Sequence, residues 1–176
     1  MSELEMPRMK RSAGICFTGI FAAVCCVATF ISVPLPFGYF NLGDIFVLVS
    51  GWLLGPVFGT LAAAIGTALA DLLLGYAMYM PATFIIKGAM ALLAFYTYHA
   101  LFKNISSKAV RLPISAFISE LLMVGGYFVF EAFVLGYGVG AVASIFGNAL
   151  QGIAGIIGAT ALFLALNASK LFKRYM

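Results

Sequence analysis

The chain has 176 residues, of which 64% are hydrophobic and 9% charged, with 17 Phe, 19 Gly, one His and a net charge of +4. A composition this apolar excludes a soluble globular domain and a disordered chain, and it predicts a small polytopic membrane protein with one domain over residues 1–176. The three cysteines, Cys16, Cys25 and Cys26, all fall in the first apolar segment; their odd number and spacing argue against a disulfide framework or a zinc site and leave them as small buried thiols.

The first predicted helix covers about 12–33. It follows Arg8, Lys10 and Arg11, but it is as long as a full span and no small-residue cleavage site precedes Pro34, so it is retained rather than removed as a signal peptide. Gly14, Thr18, Ala22 and Cys26 form one stripe along it, with Gly19 and Ala23 beside them. Small residues at this spacing let helix backbones approach closely, either inside the bundle or against another protein. Pro34 and Pro36 then end the helix, and a loop over 34–42 carries Phe37, Tyr39 and Phe40. Helices follow at about 43–55, 57–75, 81–102, 112–135 and 141–167, separated at Gly55 with Pro56, at Gly75 to Pro81, and at Leu135 to Gly140.

Charge decides between five and six spans. Nine of the ten basic residues lie in three clusters: Arg8, Lys10 and Arg11; Lys103, Lys108 and Arg111; Lys170, Lys173 and Arg174. The positive-inside rule puts all three in the cytoplasm, so an even number of crossings separates each from the next. That requires the break at Gly55 and Pro56, and predicts an all-α bundle of six transmembrane helices with both termini cytoplasmic. The outer loops then carry no Lys or Arg, and Tyr39, Tyr76, Tyr79 and Tyr137 sit at the outer interface.

The tenth basic residue is Lys87. At about 1.5 Å per residue it lies about 10 Å into the fourth helix, Asp71 about 7 Å below the end of the third, and Glu131 about one turn from the outer end of the fifth. By the same rise Asn148 and Gln151 lie about 10 to 15 Å into the sixth helix, on one face, and Asp44 opens the second. Each has a bland reading: Asp71 with Lys87 as an interhelical ion pair, Asn148 and Gln151 as hydrogen-bond glue, Asp44 as a helix cap, Glu131 as a partly solvated acid. Their common depth supports a second reading, a small-molecule cavity in the outer half of the membrane. Tyr39, Phe40, Tyr79, Phe84 and Tyr127 would be among its aromatic walls. Three carboxylates against one Lys suit a flat hydrogen-bonding ring, neutral or cationic, better than a multiply anionic ligand. Glu120 stands apart, about 12 Å into the fifth helix from the inner side, either as a neutral acid bonded within the bundle or in a coupling role.

No phosphate-binding loop, metal cluster or nucleophile motif is present. An enzyme is not expected, nor a cofactor or metal, and any uphill transport would draw on another subunit. The runs FNLGDIFVLVSGWLLGPVFG, MPATFIIKG, GYFVFEAF and FGNALQG, in that order and spacing, resemble the substrate-binding S component of an energy-coupling factor (ECF) transporter, in the riboflavin, hydroxymethylpyrimidine and pyridoxine group. The resemblance covers the chain from the first helix to the last. It implies a high-affinity vitamin-binding subunit in a prokaryotic cell membrane, docked on a transmembrane T component with two cytoplasmic ATPases. It further implies a partner face on the first helix, where Gly19 and Ala23, with Thr18 and Ala22 alongside, match the family's small-residue stripe, and a lid formed by Pro34 to Leu42. Pyridoxine or hydroxymethylpyrimidine is the favoured ligand, with riboflavin next. The alternative is a stand-alone proton-coupled carrier of a small aromatic metabolite, with Asp71, Glu120 or Glu131 carrying the proton.

Overall fold

The computed structural model describes residues 10–35 and 38–169, with the backbone alone for 34, 35, 38 and 39. Phe37, the side chain of Tyr39, Arg8 and the basic cluster from Lys170 lie outside what it describes. Among the described residues five helical segments are long and apolar enough to cross a bilayer. They contain α1 (Arg11–Phe30), α2 (Gly43–Leu73), α3 (Met80–Tyr96), α4 (Lys108–Val129) and α5 (Val142–Ala168). The third and fourth run on through π turns at Thr97–Leu101 and Phe130–Val134, and a short 3-10 turn, Gly138–Ala141, leads into α5.

The longest element is two helices. Gly55 has φ 83° and ψ −175°, a conformation that breaks a helix and that glycine alone adopts readily, and Pro56 starts the next half with its φ already set. In a continuous helix residues 50 and 59 would be about 13.5 Å apart; instead the Ser50 hydroxyl donates to the Gly59 carbonyl at 3.1 Å. The chain therefore doubles back, and the Gly59 Cα face rests against Gly51.

Residues 32–35 and 38–41 form the two strands of a small antiparallel hairpin where a loop was expected. β1 (Ser32–Leu35) pairs with β2 (Gly38–Asn41) in the register Ser32 to Asn41 and Val33 to Phe40. Pro34 fits in β1 because the ribbon is two-stranded and each strand keeps an unpaired edge. β2 leans on α5.

Glycines set the interhelical distances at the centre. A Cβ on Gly66 would be 2.9 Å from the Ala22 Cα, and one on Gly51 would be 3.0 Å from the Ala91 carbonyl carbon. Backbone atoms in such contacts cannot step aside. Gly51→Ala is expected to destabilise the protein by about 1–3 kcal/mol, read as a lower unfolding midpoint in detergent. Gly19→Ala, where an added Cβ meets nothing within 4 Å, is the control that should leave the midpoint in place.

The first half of α2 is the axis of the core, with Val47, Leu48, Trp52 and Leu54 buried against Met90, Ala91, Ala94, Leu112 and Met123. Trp52 donates to the Ser115 hydroxyl at 3.1 Å and meets Phe163 edge-on at 5.6 Å. Outside, Val57, Leu61, Ile65 and Leu69 make an exposed apolar ridge at four-residue spacing. Such a ridge suits lipid, since one helix face is apolar along its whole length with no charge to interrupt it.

Candidate functional site

A cavity of about 180 Å³ opens among the end of α1, the hairpin, α2, α3, α4 and α5. Its polar lining begins with Lys87, buried on the inward face of α3 at helical spacing from Thr83 and Met90. The Lys87 ammonium donates to Asp44 Oδ1 in a buried ion pair. Asp44 is in the first turn of α2 and fully buried. Its other oxygen accepts from the Gln151 amide at 2.6 Å, and the Gln151 carbonyl oxygen accepts from the Asn41 backbone N–H at 3.2 Å. The Asn41 side chain in turn accepts from Gly43 N–H at 2.8 Å, which satisfies one of the free donors at the start of α2. One chain of hydrogen bonds thus joins α3, α2, α5 and the end of β2.

Lys87 also lies 5.5 Å from the centroid of the Tyr127 ring, close enough for a cation–π contact. The Tyr127 hydroxyl is 2.9 Å from the Thr83 hydroxyl. A second polar group sits higher, where Glu131 accepts from the Tyr79 hydroxyl at 3.4 Å and, in a shorter bond, from Ser144. Burial first, and then the Glu131 carboxylate, push the Tyr79 phenol above the ordinary tyrosine range, which keeps it a donor. Tyr79 packs edge-on against Phe130 at 5.7 Å and Tyr76 at 6.5 Å.

Asp71, Lys87, Glu131, Asn148, Gln151, Tyr79 and Tyr127 all line this one cavity. Asp44 stands behind the lining and holds two of its members. Four expectations change. Lys87 forms its ion pair with Asp44, from the first turn of α2 behind the lining, whereas Asp71 lines the cavity from the second half of α2. Glu131 is 8% exposed rather than partly solvated, because the π turn at Phe130–Val134 carries it toward Tyr79 and Ser144. Phe84 points away: it is 44% exposed, one position round the helix from Thr83 and on the outer surface. Phe40 is half-buried and does not line the cavity.

Further lining groups escaped the sequence reading. Thr67, Thr83, Ser144 and Gly147 line the cavity, each one helical turn before a residue already identified, so the four-residue repeat would have found them. Thr29 joins them from the last turn of α1, and Asn41 from the end of β2. The cavity can supply carboxylate acceptors, an ammonium donor, amides and hydroxyls around aromatic faces, which is the chemistry of a site for a planar polar molecule.

On α1 the small residues divide. Thr18 donates to the Gly14 carbonyl at 2.8 Å and reaches the Phe58 carbonyl at 3.4 Å, and Ala22 packs against Gly66. Gly19 and Ala23 stay exposed on the outer face, near Ile15, Ile20 and Val27.

The family model for the ECF-type riboflavin transporter, S component, matches residues 11–168. A protein of Pyrococcus woesei described as "Uncharacterized protein in gap 3'region" is 32% identical over 137 residues, covering 77% of this chain and 88% of the relative. The family is one of transporter components, not of enzymes. The match begins at the first residue of α1 and ends at the last of α5, so it takes in every element that builds the cavity; the chain is a multi-pass membrane protein and belongs to the ECF-type riboflavin transporter S component family.

Proposed function

We propose that this chain is the substrate-binding subunit for a single-ring aromatic vitamin or vitamin precursor, pyridoxine or hydroxymethylpyrimidine before riboflavin. The observation that carries the reading is the cavity itself: about 180 Å³, below the roughly 300–1,000 Å³ of sites for drug-sized ligands, and ringed by hydrogen-bonding groups. A single ring bearing hydroxyl or amino groups suits that size. A flavin is the second reading, favoured by the description of the matching family. Tyr127, Tyr76 and Tyr79 offer ring faces, Lys87 offers a donor, and Asp71 and Glu131 accept from ligand hydroxyls or amines. The break at Gly55 supports six crossings, with the basic clusters and both termini in the cytoplasm of a prokaryote and the hairpin over the outer mouth.

Native mass spectrometry of protein purified from rich medium, followed by titration with pyridoxine, hydroxymethylpyrimidine and riboflavin, tests the reading. One co-purified vitamin, or one tight binder, is expected; no ligand and no binder would reject it. Transport would require a T component and two ATPases, docked on the face of α1 that carries Gly19 and Ala23. Ala23→Leu is expected to leave ligand affinity unchanged and abolish uptake in vesicles that contain all subunits. Loss of binding instead would make that face internal. Uptake collapsed by a protonophore in vesicles lacking ATPases would favour the proton-coupled carrier.

A further inference from the structure

Glu120, midway along α4, is 4% exposed, and neither carboxyl oxygen has a hydrogen-bond partner among the described residues. Its place is shaped by α5. A Cβ on Gly152 would lie 3.3 Å from Glu120 Oε2, and one on Gly155 would overlap Oε1 outright. The same added Cβ on Gly155 would lie 3.1 Å from the Asp44 Cβ, so the two acids flank a single glycine. Glu120 does not line the cavity; it lies behind the Asp44 and Lys87 pair.

The charges that act on Glu120 are Asp44 from α2 and Lys87 from α3. From α5 it meets glycines, and the Cys25 thiol of α1 lies in the field of the same pair. Two carboxyl groups against one ammonium leave one negative charge uncompensated in a buried compartment, a state that one proton removes. The pairing of Asp44 with Lys87 makes Glu120 the group left to carry it.

The second step concerns Lys87, which lines the cavity yet is bound to Asp44. A ligand acceptor such as a ring nitrogen or phenolic oxygen competes with Asp44 for that ammonium. If Lys87 turned to the ligand with no substitute donor, Asp44 would keep only its bond from Gln151.

We propose that Glu120 is a positioning residue that holds a proton and stands as the alternative hydrogen-bond donor to Asp44, freeing Lys87 to engage an acceptor group on the ligand. No proton is transferred: Glu120 keeps its O–H, Lys87 keeps its charge, and only hydrogen-bond partners change. The ligand-facing half of this rests on the vitamin-binding reading above, while the proton on Glu120 and its alternative bond do not.

Infrared difference spectra of the ligand-free protein in detergent at neutral pH separate the two. Wild type should show a protonated-carboxyl C=O band, sensitive to deuterium exchange, that Glu120→Gln removes. In Lys87→Met, where the ammonium is gone, the band should move to lower frequency as the O–H bonds to Asp44. Absence of the band, or a band unmoved in Lys87→Met, overturns the proposal whatever the ligand. In the binding arm the probe is whichever of pyridoxine, hydroxymethylpyrimidine and riboflavin binds wild type. Glu120→Gln, which keeps a donor, should hold affinity near wild type, whereas Glu120→Leu should weaken it about tenfold or more. Equal affinities for the two variants would also overturn it. Failure of all three probes with the band present and movable rejects the vitamin reading and leaves the proton and its alternative bond standing.

Discussion

Lys87→Met is expected to destabilise the protein by about 3–5 kcal/mol, the range for removing one partner of a buried ion pair. Methionine keeps the length of the lysine stem, so the loss is of charge and donor rather than of volume. The carboxylate left behind is fully buried in the first turn of α2, and its partners there, the Gln151 amide and the Glu120 O–H proposed above, carry no positive charge to offset it. Asp44→Asn in the same background should recover most of the loss, because no bare charge remains. A double-mutant cycle on unfolding midpoints measures this coupling. If the losses of the two single variants simply added in the double variant, the pair would contribute nothing beyond packing.

The second large effect is on ligand affinity. Asn148→Ala combined with Gln151→Ala is expected to weaken binding by about 2 kcal/mol or more, roughly 30-fold, because ligand polar groups held in the cavity lose their partners there. The two residues contribute differently. Gln151 also ties the end of β2 to α5 through Asn41, so its loss loosens the hairpin above the cavity as well. Asn148→Ala alone should therefore change affinity with little change in unfolding midpoint, and the double variant should lower both. Titration of each variant with the vitamin that binds wild type, alongside thermal unfolding, separates the two contributions. Unchanged affinity in the double variant would remove α5 from the site.

How much of this was legible beforehand follows from which geometry is local. Helical rise and repeat are the same in any α-helix, so depth could be counted from the ends, and Asp71, Lys87, Glu131, Asn148 and Gln151 do share one cavity. The break at Gly55 and Pro56 was equally readable, since glycine's tolerance of positive φ and proline's fixed φ act within a single turn. Hydropathy and charge clusters are properties of composition and spacing, and they pointed to a polytopic membrane protein before any contact was known; the transporter component came from the resemblance of four short runs to the S component family.

What the sequence could not supply is rotation and contact across helices. By depth Asp71 was the expected partner of Lys87 and Asp44 only opened the second helix; the ion pair to Asp44 depends on the close approach of α2 to α3, where Gly51 meets the Ala91 backbone. Phe84 belongs to the right depth but the wrong face, a difference of one residue and about 100° that only packing resolves. Glu131 is enclosed because a π turn shifts the register at the end of α4, and Asn41 enters the site because a hairpin forms where a loop was expected. By itself the sequence determined the class of protein, the helix breaks and the depth at which polar groups gather, since these depend on local geometry and on hydropathy. The tertiary structure alone decided which carboxylate holds Lys87, which aromatic faces lipid and why Glu120 rests against two glycines, because those depend on how closely backbones far apart in the chain approach one another.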